Sequence, residues 1–584
     1  MIKIKQTEGK PRRKHGCLWT AIVCVLLYVG LCGLMGYFMG DLLSTPVTKL
    51  EANGIYQLQL KGTLVEQGQE EDPFAALLGE LPGYSAPEAN VGLDDILSNI
   101  RLAKSDDRIL GIYLDGGSLS MGPASAKAIR DALLDFKTSG KWIIAYASNY
   151  GQMNYYLASV ADKVCLNPTG SIAWNGLTAQ KMYYTRLFEK IGVEMQILKV
   201  GTFKSAVEPY FRTSMSDADR LQTKQYLSGI WEEMVGAVAL SRNLTDQQLN
   251  AYADRYMALQ PAEDYLTCGL ADTLIYRQSV DSILRLYAGT KDYTLYTTSE
   301  LAHVERTESK AKDKVAVVYM EGNIYSESGE GIVDKQVLKQ LKKIQQDDNV
   351  KAVVLRVNSP GGSADASEQI WHGVQLLKEK GLPVVVSMGD YAASGGYYIS
   401  CDADYIYAEP TTLTGSIGIF GVVPNWGKLR EKVGLDIDGV STNAHSDLEV
   451  NMVYKGMNPE EEAMMQRMIE RGYDLFTRRC AEGRHTTQDT IKMIGEGRVW
   501  LGKDAIGIGL VDCLGNIDDA IAKAVELAGI EQYKTVYYPE KKDPMEELLK
   551  LLDGSSPEER LLREARAFAK EPRRMMQMER IIIQ

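Results

Sequence analysis

Apolar residues along this chain fall into three patterns. Near the N-terminus, Cys17 to Phe38 is an uncharged run of 22 residues. At about 1.5 Å rise per residue, a helix of that length spans a hydrocarbon core of roughly 30 Å. Past it, Ile55-Tyr56-Gln57-Leu58-Gln59-Leu60 alternates as a half-buried strand does. Farther on, short apolar strands alternate with amphipathic helices. Ile109 to Leu114 predicts a buried strand, Ala124 to Phe136 a helix and Trp142 to Ala145 another strand. The same order returns with Ala352 to Val357, Ala366 to Lys378 and Pro383 to Ser387. Such strand–helix–strand units predict an α/β fold with mainly parallel sheets.

The recurrence is a duplication. Tyr155 and Tyr397, Ala161-Asp162 and Ala403-Asp404, Pro168 and Pro410, and Glu189-Lys190 and Glu431-Lys432 each stand 242 positions apart. Both copies close alike, with Gly269-Leu270-Ala271-Asp272 against Gly509-Leu510-Val511-Asp512. A period this long marks repetition of a whole domain. The expected organisation is a basic segment at 1–16, an anchor at 17–39, one copy at 50–299, a charged linker at 300–314, a second copy at 315–538 and a helical tail at 539–584. Gln67 to Asn90, rich in Glu, Pro and Gly, reads as a surface excursion. In the tail, Ser556-Pro557-Glu558-Glu559 is a capping box with proline at the first helical position.

Charge orients the anchor. Lys3, Lys5, Lys10, Arg12, Arg13 and Lys14 precede the apolar run, and Asp41 is the first charge after it. The positive-inside rule then places the first residues in the cytoplasm and everything after Gly40 outside it. A cleaved signal peptide has a shorter apolar region of about 7–15 residues, and Gly36-Tyr37-Phe38 is a poor cleavage site. Net charge of −12 with no long basic stretch beyond the N-terminus argues against a nucleic-acid partner. Of eight cysteines, three lie in the apolar run, and the other five lack the spacing of a zinc site or disulfide framework.

Where the copies differ, chemistry has been divided. Asn358-Ser359-Pro360-Gly361-Gly362 follows a strand and precedes a helix, so its glycines can bring unpaired N–H groups to an oxyanion. The first copy keeps only Asp115-Gly116-Gly117. Ser394 sits among small neighbours, Ala392-Ala393-Ser394-Gly395-Gly396, just before a helix expected at Tyr397 to Cys401; its slot in the first copy is Gln152. A nucleophilic serine needs a base. None of the five histidines (His15, His303, His372, His445, His485) has a counterpart or a motif around it. Lysine can serve if burial lowers its pKa from about 10.4 by roughly 3 units, or about 4 kcal/mol. Lys204, in Val200-Gly201-Thr202-Phe203-Lys204-Ser205-Ala206-Val207-Glu208-Pro209, is the candidate, and its slot in the second copy is Ser446.

From about residue 50 to 533 the chain resembles the long, duplicated form of the bacterial signal peptide peptidase A (protease IV) family, in the ClpP/crotonase-like superfamily. The motifs that carry the resemblance are Lys204 to Pro209, Val357 to Gly362, Ala392 to Tyr397 and Leu413-Thr414-Gly415-Ser416-Ile417-Gly418. It implies two tandem ClpP/crotonase-like domains after an N-terminal transmembrane helix. It implies Ser394 as nucleophile, Lys204 of the other half as general base and Ser416 as a hydrogen-bonding partner of that lysine. Gly361 and Gly362 become the oxyanion hole, and the assembly a tetrameric bowl open towards the membrane. Ser416 also has a turn reading, since the first copy keeps Thr169-Gly170-Ser171-Ile172.

The expected protein is therefore a membrane-anchored Ser–Lys endopeptidase of the bacterial inner membrane. It acts at the extracytoplasmic face on cleaved signal peptides and other short apolar peptides, with no metal or other cofactor. A crotonase-type acyl-CoA enzyme would need a cytoplasmic location and a CoA-phosphate site. A non-catalytic scaffold of the same fold would have no use for Lys204 and Ser394 together.

Overall fold

The computed structural model of the chain describes residues 48–69, 90–306 and 309–541. The basic segment, the apolar run, most of the excursion and the tail from 542 lie outside these residues. Each copy is built on its own largely parallel sheet. In the first, the strands run in the order Asn90–Gly92, Gly54–Val65, Ile109–Ser120, Trp142–Ala147, Lys163–Leu166, Thr273–Leu274, with Thr294–Tyr296 also on Gly54–Val65. The second runs Val499–Leu501, Leu413–Gly415, Val384–Ala393, Val350–Ser359, Lys314–Glu321, Lys534–Tyr538, and Tyr405–Ala408 pairs with Val384–Ala393 and Cys513–Leu514. Among the described residues its one antiparallel ladder joins Leu413–Gly415 to Val499–Leu501. Helices Pro123–Lys137 and Ala364–Glu379 follow corresponding central strands. Those strands read as continuous apolar runs because parallel sheets are buried on both faces.

Several elements depart from expectation: the first copy's strand runs on from Leu114 to Ser120, and the helix expected at Tyr397 to Cys401 spans Gly395–Tyr398. The strand expected to end at Ser387 runs on to Ala393, with Tyr391, Ala392 and Ala393 paired to Leu413, Thr414 and Gly415. Small and polar residues there, mixed with Met388 and Tyr391, hide the strand from any hydrophobic period, but the extension delivers Ser394 at its tip. In the linker expected at 300–314, Glu300 to Ala302 belong to the helix Thr298–Ala302. Thr297 and Glu300 form a reciprocal capping box, and Leu301 is buried.

The two copies interlock. Glu194–Lys199 pairs antiparallel with Phe420–Asn425, one strand from each copy, from Lys199 opposite Phe420 to Glu194 opposite Asn425. Arg356 and Glu66 form a buried ion pair across the halves, Nε to Oε2 2.7 Å. Asp390, on the strand that leads to Ser394, accepts hydrogen bonds from Ala124 N (2.8 Å), Ser125 N (3.1 Å) and Ser125 Oγ (2.6 Å) at the start of the first copy's helix. An aspartate there complements the exposed N–H groups of a helix start.

Candidate active site

Ser394 stands where a strand turns into the short helix Gly395–Tyr398, with φ 55° and ψ −118°. A side chain rarely adopts that backbone geometry, and it costs about 1–3 kcal/mol. The turn is held open by small neighbours. A Cβ added at Gly361 (φ 106°) would lie 2.8 Å from Ser394 Cβ and 2.7 Å from Gly395 N. One added at Gly396 would lie 2.5 Å from Ser359 O. Ser394 N donates to Gly415 O at 2.9 Å, which locks the turn to the next strand.

Lys204 arrives from the other copy, just past the strand pair that joins the halves. Val200 N donates to Ile419 O (3.1 Å), and Phe203 N to Glu496 O (2.9 Å). Gly497 lets this loop approach: a Cβ there would sit 2.6 Å from Lys204 Cβ. Lys204 Nζ lies 3.0 Å from each of Ser394 Oγ, Ser416 Oγ and Ser416 O, and the Phe420 ring centroid is 5.8 Å away. The amine is buried, and burial pushes its pKa from 10.5 down to about 7. Glu208, four residues on, is turned away: it accepts from Ser216 N (3.0 Å) and from Ser216 Oγ at the start of helix Asp217–Arg242.

The neutral amine has two N–H bonds and one lone pair. Ser416 Oγ donates to Gly497 O at 3.3 Å, so it accepts from Lys204; Ser416 O can only accept. These two partners take both N–H bonds, and the lone pair is left facing the Ser394 hydroxyl. A neutral amine so placed can remove that proton. Its first-copy counterpart Ser171 instead donates to Asn149 Oδ1 (3.1 Å).

The expected oxyanion glycines play unequal parts. Gly361 N donates to Ser359 Oγ at 3.1 Å, so that N–H is committed. Among the described residues, the N–H groups of Gly362 and Gly395 have no hydrogen-bond partner. The sequence offers Gly395 only as one of the small neighbours of Ser394, and its place directly after the serine is the available signal. Ser394, Lys204, Ser416, Gly361 and Gly362 line one cavity of about 300 Å³, with Phe203, Phe420, Tyr226 and Val499 in its walls. No histidine lines it among the described residues. In the first copy the slot of Ser394 is closed: Gln152 Oε1 accepts from Asn175 N (2.9 Å) and Gly176 N (3.1 Å). Ser446, the slot of Lys204, is exposed.

A model of peptidase family S49 matches residues 135–289 and 376–531, one match in each copy, and a Clp protease model matches residues 306–410. The chain is 37% identical over 516 residues to Protease 4 of Salmonella typhi, covering 86% of this chain and 83% of that protein. It is 30% identical over 494 residues to the chloroplastic serine protease SPPA of Arabidopsis thaliana, covering 82% and 72%. Over 243 residues it is 33% identical to a putative signal peptide peptidase SppA of Enterococcus faecium, covering 42% and 70%. With the family's domain present twice, the chain belongs to peptidase family S49 and is a serine-type protease.

Proposed function

We propose that this protease is a Ser–Lys endopeptidase of the bacterial inner membrane that degrades cleaved signal peptides and other short apolar peptides at the extracytoplasmic face. The observation that carries the reading is the Lys204 amine, 3.0 Å from Ser394 Oγ and with both N–H bonds taken up by Ser416. Ser394 Oγ attacks the scissile carbonyl carbon while its proton passes to Lys204 Nζ. The N–H groups of Gly362 and Gly395 receive the oxyanion, and Gly361 supplies the close approach that lets them converge. Lys204 then protonates the leaving amine. It next takes a proton from the water that cleaves the acyl–Ser394 ester, which restores the serine.

Apolar side chains suit the part of the cavity walled by Phe203, Tyr226, Phe420 and Val499, while Lys181, Asp219 and Asn323 line the rest. The Enterococcus relative's name points to signal peptides, and the apolar run at 17–39 with its basic flank supports a single-pass anchor. No helix among the described residues is long and apolar enough to cross a membrane. A homotetramer is the assembly that the resemblance implies.

Hydrolysis of an internally quenched apolar peptide tests the mechanism. Ser394→Ala and Lys204→Ala are each expected to abolish turnover, and the double variant to be no worse than either, because the two act as a unit. Full activity in either folded single variant removes the dyad.

A further inference from the structure

The loop that carries Lys204 belongs to no helix or strand, yet an amine that is to meet a hydroxyl needs placement within a few tenths of an ångström. We propose that Gln222 is the positioning residue for this site, its one carboxamide tying the lysine loop to the strand that abuts Ser416 and Ser394. The proposal rests on the Ser394–Lys204 reading.

Gln222 is buried on helix Asp217–Arg242 of the first copy. Its Nε2 donates to Phe203 O (3.0 Å) and to Ser205 Oγ (2.8 Å), the residues on either side of Lys204. Its Oε1 accepts from Val499 N (3.2 Å) in the second copy. Val499 pairs with Gly415, whose carbonyl takes the Ser394 N–H and whose next residue is Ser416. One side chain therefore stands at the junction of all three groups.

The backbone partners also dictate which end of the amide faces where. A carbonyl oxygen demands a donor and an N–H demands an acceptor, so only an uncharged amide satisfies both. A carboxylate would face the Phe203 carbonyl and add negative charge beside the amine. Gln222 borders the cavity, but its polar atoms are all engaged by protein, so it acts on the reaction through Lys204. Of the charged groups packed around the loop, Asp219 holds Lys181 (2.6 Å) and also accepts from Gln222 Nε2 (3.4 Å), Arg498 lies against the Phe203 ring (5.0 Å), and Glu208 is bonded to Ser216.

The full-length protein, assayed on the internally quenched apolar peptide, distinguishes this role from simple packing. Gln222→Met keeps the volume and removes the hydrogen bonds. It is expected to lower kcat about 100-fold, with KM changed less than about threefold, because misplacement near 1 Å costs that much. The acidic limb of kcat/KM should also move up by about half a pH unit or more, as water reaches the amine. Gln222→Glu should move the limb further, and Ser205→Ala, which removes a single acceptor, should change kcat in the same direction but less. A lowered unfolding temperature with kcat and the limb unchanged makes Gln222 a packing residue and overturns the proposal. If Gln222→Met does not fold, wild-type kcat in Ser205→Ala together with an unmoved limb in Gln222→Glu overturns it equally. Lys204→Ala and Ser394→Ala run alongside: activity in those sinks the dyad itself, whereas their inactivity beside intact Gln222 variants sinks only the present inference.

Discussion

Replacing Lys204 by methionine in the Ser394→Ala background isolates the energetic cost of the buried amine from catalysis. Methionine fills much of the same volume and carries no charge. In the folded protein the lysine pKa stands at about 7, against 10.5 for an ordinary solvated lysine. A fall of that size, at about 1.4 kcal/mol per pH unit, makes the charged form cost about 5 kcal/mol in the fold. The sign follows from proton binding: between pH 7 and 10.5 the unfolded chain holds the proton and the folded chain does not, so stability rises with pH. The penalty is complete below about pH 7 and disappears above about 10.5. At pH 6 it is nearly the full value, and at pH 9.5 less than a third of it remains. Relative to the methionine variant, the lysine protein is therefore expected to gain about 3 kcal/mol between these two pH values. Methionine also strands Ser416 O and Oγ, at about 1–3 kcal/mol, but that loss does not depend on pH. Urea unfolding followed by tryptophan fluorescence at a series of pH values reads the difference. Two stability curves that stay parallel from pH 6 to 9.5 would show an amine that titrates alike folded and unfolded, and the base assignment would fall.

Ser416→Ala should lower turnover without erasing it, because one of the amine's two N–H partners, the Ser416 carbonyl, remains. The lone pair is then less well aimed, and steady-state kinetics should show the loss mainly in kcat. Gly361→Ala should remove about 100-fold or more of kcat/KM, since the new methyl would meet Gly395 N at 2.7 Å and push it from the oxyanion. A near-normal rate in folded Gly361→Ala would count against that geometry.

Much of the architecture was legible because duplication printed the pattern twice. The strand–helix–strand run around residues 109–147 and its repeat around 350–387 announced parallel sheets, and the structure carries them with extended ends. The missed piece of strand, Met388 to Ala393, mixes small and polar side chains with Met388 and Tyr391 and shows no regular alternation of apolar positions. The helix Thr298–Ala302 was hidden at the start of the charged stretch, although Thr297 and Glu300 spelled out its cap. At the site, the contrasts Ser394/Gln152 and Lys204/Ser446 singled out the two residues that the fold places 3.0 Å apart. Gln222 left no such trace. A glutamine in an amphipathic helix looks like solvent-facing surface, and only the fold reveals two backbone partners from different halves.

The most direct measurement of the central claim is the rate at which a fluorophosphonate phosphonylates the protein, with loss of fluoride, followed against pH, with the adduct located by peptide mapping. The account predicts phosphonylation of Ser394, a rate that rises with pH around a midpoint near the lysine's pKa of about 7, and loss of that reaction in Lys204→Ala. An adduct on another serine, or labelling of Ser394 at an unchanged rate without Lys204, would contradict it.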